Sequence, residues 1–218
     1  MIKLTIAVQY NYIGEHKMCN QFKLPSLLNI KHYLVNDLNL PLAKTDTALP
    51  ENQDVFPKQI APVLLYQNNK LQLSPKSWGY PSPVDNKKVL FNARVERFYQ
   101  QKPSMWDKSF AKQRCLIIAD KFFEYGKKTY QAANNRKYHE RYSFQDPDNP
   151  LTLIAGIYDE QHFAMVTTEP NSVMALVHNR MPLVVRPEEL RQWLFQNFTK
   201  LVDRSNVPLS AKKIPNKN

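Results

Sequence analysis

Two apolar stretches, LTLIAGIY (151–158) and HFAMVTT (162–168), are separated only by Asp159, Glu160 and Gln161. Both are too short for typical helices, and a three-residue polar turn returns the second alongside the first, so the pair reads as a β-hairpin. VLLY (63–66) and KLQL (70–73) repeat the pattern around an asparagine turn, and VLFNARV (89–95) and CLIIA (115–119) add further strands. Antiparallel sheet is therefore expected to dominate the middle of the chain. Helical periodicity appears at the edges. Residues 26–38 follow Pro25 and align Leu27, Ile30, Leu34 and Leu38; a short helix is expected over 104–112; a longer one starts at Pro187 and carries Leu190, Trp193, Leu194 and Leu201. Helices that flank strands rather than alternate with them predict an α+β fold, not a doubly wound parallel one.

With 218 residues, 43% of them hydrophobic and 11% aromatic, the chain suits one folded domain. Four glycines against sixteen prolines mean loops stiffened by proline and asparagine. No apolar run approaches the roughly 18 residues that span a bilayer, and Leu4 to Val8 is too short for a signal-peptide core, so a cytoplasmic protein that does not enter membranes is expected. Two cysteines, Cys19 and Cys115, make no disulfide framework and no metal-ligand spacing, and there is no glycine-rich phosphate loop. Neither metal nor cofactor is expected. The net charge is +11, and residues 85–141 alone hold 14 Lys/Arg against 6 Asp/Glu. That basic centre points to a polyanion, with a merely solubilising surface as the equal alternative.

Four short stretches could carry chemistry: MCNQF (18–22), WGY with FNARVE (78–80, 91–96), ADKFFEY (119–125) and VHNRMPLVV (177–185). FNARVE would place Asn92, Arg94 and Glu96 on one face of a strand, which could equally be a solvated polar face. Glu124 among Phe122, Phe123 and Tyr125 would lose hydration, which favours its neutral form and suits proton transfer near pH 7, unless it is an exposed strand-end carboxylate paired with Lys127 or Lys128. His178 beside Arg180 is either a structural hydrogen-bonder or an acid/base for a substrate whose phosphate the arginine holds.

In this order, the stretches resemble the SOS-response-associated peptidase (SRAP) family of abasic-site processing proteins, from Met18 to about the C-terminus. Members begin Met-Cys-Gly-Arg-Phe, continue with Trp-Gly-Tyr, Asn-Ala-Arg-x-Glu and Phe-Glu, and end with His-x-Arg-x-Pro. The corresponding positions here are Cys19, Trp78 to Tyr80, Asn92 with Arg94 and Glu96, Glu124, and His178 with Arg180 and Pro182; IAP (60–62) and VPLSAKKIPN (207–216) also look similar to family segments.

The resemblance implies a barrel-like, mainly antiparallel sheet with flanking helices. It also implies a monomer that captures abasic sites in single-stranded DNA through an N-terminal Cys19. Only an N-terminal cysteine offers both an amine, to condense with the aldehyde of an opened abasic sugar, and a thiol, to close the imine into a thiazolidine. On this basis Cys19 is the nucleophile, Glu124 the acid/base and His178 a proton shuttle, while Asn92 orients the sugar. Arg94 and Arg180 hold flanking phosphates, and Trp78 offers either a stacking surface or a core side chain.

Three departures stand out: Asn20-Gln21 replaces the family's Gly-Arg, PSPVDNKK (81–88) follows Trp-Gly-Tyr, and seventeen residues precede Met18. Were those seventeen retained, the Cys19 nitrogen would be an amide. Residues 1–17 are therefore expected to be a non-native or removable extension of a domain spanning 18–218. Met18 as the working start is favoured over cleavage of the prefix or loss of crosslinking. Two other function classes compete, a cysteine (auto)peptidase using Cys19, His178 and Glu124, and a noncatalytic single-stranded DNA-binding module.

Overall fold

The structure, a computed structural model, describes residues 18–45, 47–85, 87–100 and 102–216. The expected removable extension, residues 1–17, lies outside the described residues. In chain order the strands are β1 (Gln21–Lys23), β2 (Asp54–Val55), β3 (Ile60–Gln67), β4 (Lys70–Trp78), β5 (Tyr80–Pro81), β6 (Val89–Leu90), β7 (Asn92–Arg94), β8 (Arg114–Ala119), β9 (Lys121–Gln131), β10 (Lys137–Gln145), β11 (Thr152–Tyr158), β12 (His162–Thr168), β13 (Met181–Pro182), β14 (Val184–Val185) and β15 (Ser210–Lys213). The helices are α1 (Leu27–His32), α2 (Asp107–Lys112), α3 (Ser172–Ala175) and α4 (Leu190–Phe195). The fold is α+β and mainly antiparallel.

Five strands close a ring in the order β12-β4-β3-β8-β11 and back to β12. Four of the five pairings are antiparallel; the exception is β4 with β12, where Trp78 lies beside Phe163. β8, β11 and β12 are buried along almost their whole length rather than on alternate residues. That is what a filled barrel with a covered outer wall requires, and it explains why these strands read as continuous apolar runs. A second sheet, in the order β15-β10-β9-β1-β2, stands against the ring. The chain crosses between the two at Asp120, the one residue between β8 and β9, whose N–H donates to Lys23 O at 2.9 Å.

Local chemistry explains the turns. Asn68 and Asn69, with φ of 53° and 60°, form the two-residue turn of the β3–β4 hairpin, a conformation asparagine tolerates. In the β11–β12 hairpin, the Asp159 carboxylate accepts the N–H groups of Gln161 and His162 at 2.8 and 2.6 Å.

Four expected elements are shorter or broken, the 104–112 helix beginning only at Asp107. The 26–38 helix has a Ser26 cap on Asn29 N, then widens after His32 into a π-helical turn over Tyr33–Asp37. The helix after Pro187 begins as a tight 3-10 turn and ends at Phe195, and Leu201 sits in a separate 3-10 turn because Gln196 is extended. FNARVE is not one strand: β7 ends at Arg94, and Glu96 lies in a 3-10 turn over Val95–Tyr99, so Asn92, Arg94 and Glu96 do not share a strand face.

Candidate functional site

The Met18–Cys19 peptide bridges the barrel and the second sheet. β1 pairs antiparallel with β9, Gln21 beside Phe123, which brings Glu124 to the residue just ahead of β1. The Cys19 N–H donates to Glu124 Oε2 at 2.7 Å. From the other side, β7 runs parallel to β12 with Asn92 beside Met165, and Asn92 Nδ2 donates to the carbonyl oxygens of Met18 and, at 3.4 Å, of Cys19. Three residues from distant stretches of sequence, Cys19, Asn92 and Glu124, are thus joined by hydrogen bonds around one peptide group.

This site is dry. Cys19 is fully buried and Glu124 is 2% exposed. Burial lifts the Glu124 carboxyl from its ordinary 4.5 to about 7, against the opposing pull of the N–H bonds from Cys19 and Tyr125. Burial, and after it the Glu124 charge, push the Cys19 thiol well above its ordinary range, so it is protonated at neutral pH. Cys19 also has φ of 30°, a left-handed conformation that costs a non-glycine residue about 1–3 kcal/mol. Asn92 Oδ1 is buried and has no hydrogen-bond partner among the described residues.

The raised Glu124 carboxyl has a measurable consequence. The folded protein binds more protons than the unfolded chain between pH 4.5 and 7, so this contribution to stability is complete below about 4.5 and is lost as pH rises through 7. Its size is roughly 3 kcal/mol. Denaturant unfolding of wild type and Glu124→Gln at pH 5 and pH 8 is expected to show wild type losing about that much relative to the variant. A pH-independent difference between the two would contradict the assignment.

The remaining expected residues are placed differently from one another. His178, half-buried after α3, accepts the Arg180 N–H on Nδ1 at 3.2 Å. Arg94 is exposed on β7. Arg180, expected to hold a phosphate, is 8% exposed and already engaged: Glu96 grips it bidentately at 2.8 and 2.9 Å, Glu169 at 2.8 Å and Thr167 O at 2.9 Å. A phosphate would have to displace a carboxylate. Trp78 corrects the stacking expectation outright. It is fully buried, donates Nε1–H to Phe91 O at 2.9 Å and packs against Phe22, Phe91 and Phe163, so no ring face is open to a base.

Among the described residues, no group of three or more His, Cys, Asp or Glu could hold a metal, and no helix is long and apolar enough to cross a membrane. Sequence reading missed Glu169 and Thr167 around Arg180, and Arg141, which donates to Gln21 two positions from Cys19. These pairings span up to 120 positions and leave no local pattern.

A model of the family described as SOS response associated peptidase (SRAP) matches residues 18–214. The chain is 26% identical over 195 residues to the abasic site processing protein YoqW of Bacillus subtilis (strain 168), covering 81% of this chain and 80% of that one. To the abasic site processing protein YedK of Escherichia coli (strain K12) it is 27% identical over 144 residues, 63% of this chain and 61% of the other. A crystal structure of a protein from Bacteroides thetaiotaomicron shares the fold with a TM-score of 0.69 at 20% identity, covering 91% of this chain and 93% of that one. With the match running from the residue before Cys19 through β15, the chain belongs to the SOS response associated peptidase family.

Proposed function

We propose that this protein acts in the DNA-damage response by capturing abasic sites in single-stranded DNA covalently through Cys19. The observation that carries this reading is the Cys19 nitrogen 2.7 Å from a buried carboxyl that titrates near 7. Once residues 1–18 are gone, that nitrogen is a primary amine with a pKa of about 8, neutral often enough at pH 7 to attack an aldehyde. It adds to the aldehyde of the opened deoxyribose, and Glu124 takes the proton the nitrogen sheds and returns it to the departing hydroxyl, which leaves as water. The thiol then adds across the imine, sulfur to carbon and hydrogen to nitrogen, and the five-membered ring closes. His178 serves as the proton shuttle. Loss of Met18 frees an Asn92 N–H for the opened sugar, and the unpartnered Asn92 Oδ1 accepts one of its hydroxyls. The imine also acidifies the adjacent sugar carbon, so strand scission by β-elimination competes with ring closure.

The test is incubation with a single-stranded oligonucleotide bearing one abasic site, followed by heating and intact-mass measurement. The expected product is the chain beginning at Cys19 plus the oligonucleotide minus one water, with the linkage mapped to Cys19. A linkage on any other residue would remove the mechanism.

The same geometry favours a second, compatible reading: the site releases its own amine. The Met18 carbonyl is polarised by Asn92, the scissile nitrogen faces a carboxyl able to give a proton, and Cys19 is held in a strained conformation. Attack of Sγ on the Met18 carbonyl carbon, with Glu124 protonating the departing nitrogen, would form a thioester that water hydrolyses. Wild-type chain is expected to lose residues 1–18 without DNA, whereas Asn92→Ala retains them. Equal processing of the two chains would assign the cleavage to another agent.

A further inference from the structure

Three of the well-buried arginines have carboxylate partners: Arg180 with Glu96 and Glu169, Arg186 with Asp146 and Asp148, and Arg204 with Glu189. Arg114 is held by the main-chain carbonyls of Phe110, Trp193 and Gln196. Arg141 is different. Its guanidinium lies 4.2 Å from the Phe123 ring centroid, and Nη2 donates to Gln21 Oε1. Its Nε is buried without a partner, as is that of Arg180, but unlike Arg180 it makes no ion pair among the described residues. Both residues that pin it are neutral, and both adjoin the site: Gln21 is 4% exposed and two positions from Cys19, and Phe123 precedes Glu124. On β10, Arg141 lies opposite Tyr125, one register step from the pair Tyr142–Glu124.

A half-buried guanidinium fixed by neutral groups keeps a charge that no carboxylate among the described residues pairs with, which is costly unless a ligand supplies the anion. The planar fork of the guanidinium suits a phosphate, and Phe123 and Gln21 restrict its rotation beforehand. β10 itself continues the feature outward. His139 and Lys137 follow Arg141 outward on the same strand, past a register break between His139 and Arg141, and Glu140 is paired with Lys213 Nζ at 2.6 Å.

We propose that Arg141 is a backbone-phosphate subsite of the Cys19 site, aimed by Gln21 and Phe123, from which the DNA strand continues outward along β10 toward Lys137. The assignment rests on reading the Cys19 site as a DNA site.

The test measures noncovalent binding of an undamaged single-stranded oligonucleotide by the full chain across a range of salt concentrations. For a single strand, each phosphate contact contributes about 0.7 to the slope of log affinity against log salt. Arg141→Gln is expected to reduce the slope by about that amount, and Arg141→Lys to keep the slope while losing affinity severalfold, because an ammonium cannot fork. Thermal melting of each variant accompanies the binding curves. If Arg141→Gln does not fold, Arg141→Lys decides, and wild-type affinity in it overturns the subsite. An unchanged slope in folded Arg141→Gln overturns it too. The outcome is separable from that of the parent reading: wild-type protein that forms the Cys19 adduct while Arg141→Gln keeps the full slope loses the subsite alone. Wild-type protein that binds the strand yet forms no adduct with abasic DNA loses the crosslinking chemistry, and the slope still decides Arg141.

Discussion

Cys19→Ser, in a chain cut back to residue 19, is expected to form no heat-stable adduct with abasic single-stranded DNA, yet to be trapped on it when borohydride is present. The serine variant keeps the α-amine, so the imine still forms beside Glu124, whose carboxyl is poised near 7. What it lacks is a sulfur to add across the C=N bond, and an unreduced imine hydrolyses on heating. The wild-type thiol is well placed for this second step without being a thiolate. Burial and the neighbouring carboxylate keep it protonated, so it brings its own hydrogen to the nitrogen as the ring closes. Two outcomes would each remove part of the mechanism. A heat-stable adduct with the serine variant and no reductant would show that sulfur does not make the final bond. Failure to trap any adduct with borohydride would show that the amine does not make the first one. A thiol peptidase acting through Cys19 gives neither product, since its substrate is a peptide carbonyl.

The surroundings of Glu124 were legible in its own segment, whereas Cys19 and Asn92 were picked out by the family resemblance. Glu124 lies inside an aromatic strand, and a carboxylate with phenylalanines on its N-terminal side loses water wherever that strand packs. Cys19 and Asn92 were visible as short motifs, but nothing local says that they meet around one peptide group. Their meeting depends on β1 pairing with β9 and β7 with β12, which are long-range choices. The same limit explains Arg180. The motif His-x-Arg-x-Pro shows a cation near a histidine, while the two carboxylates that bind it come from 84 and 11 positions away. The hairpins were readable from their turns, whereas closure of the ring through the parallel β4–β12 edge was not. The helix expected to reach Leu201 stops at Phe195, because apolar spacing alone does not report that Gln196 leaves the helical region.

Trp78→Ala is expected to be the most damaging single substitution to stability, and the reason lies in that unreadable ring closure. Trp78 ends β4 where it pairs with β12, and it sits between three aromatic rings: Phe163 at 6.1 Å, Phe91 at 5.7 Å and Phe22 at 5.1 Å. Truncating a buried tryptophan costs about 3–5 kcal/mol in lost packing and cavity formation. Phe91 O also loses its Nε1–H donor, at about 1 kcal/mol or more. In a domain of this size each kcal/mol lowers Tm by about 2–4 °C, so a drop on the order of 10 °C or more is expected in a thermal melt. The damage should reach the site as well. Phe22 belongs to the strand that aligns Cys19 with Glu124, and Phe91 immediately precedes Asn92. Trp78→Phe is expected to fall between the two, keeping a ring but not the donor. A Trp78→Ala protein that melts with wild type yet binds single-stranded DNA more weakly would restore the stacking role that burial denies it. Loss of both stability and adduct, with partial recovery in Trp78→Phe, would identify the tryptophan as the wedge on which the barrel wall and the Cys19 strand are both set.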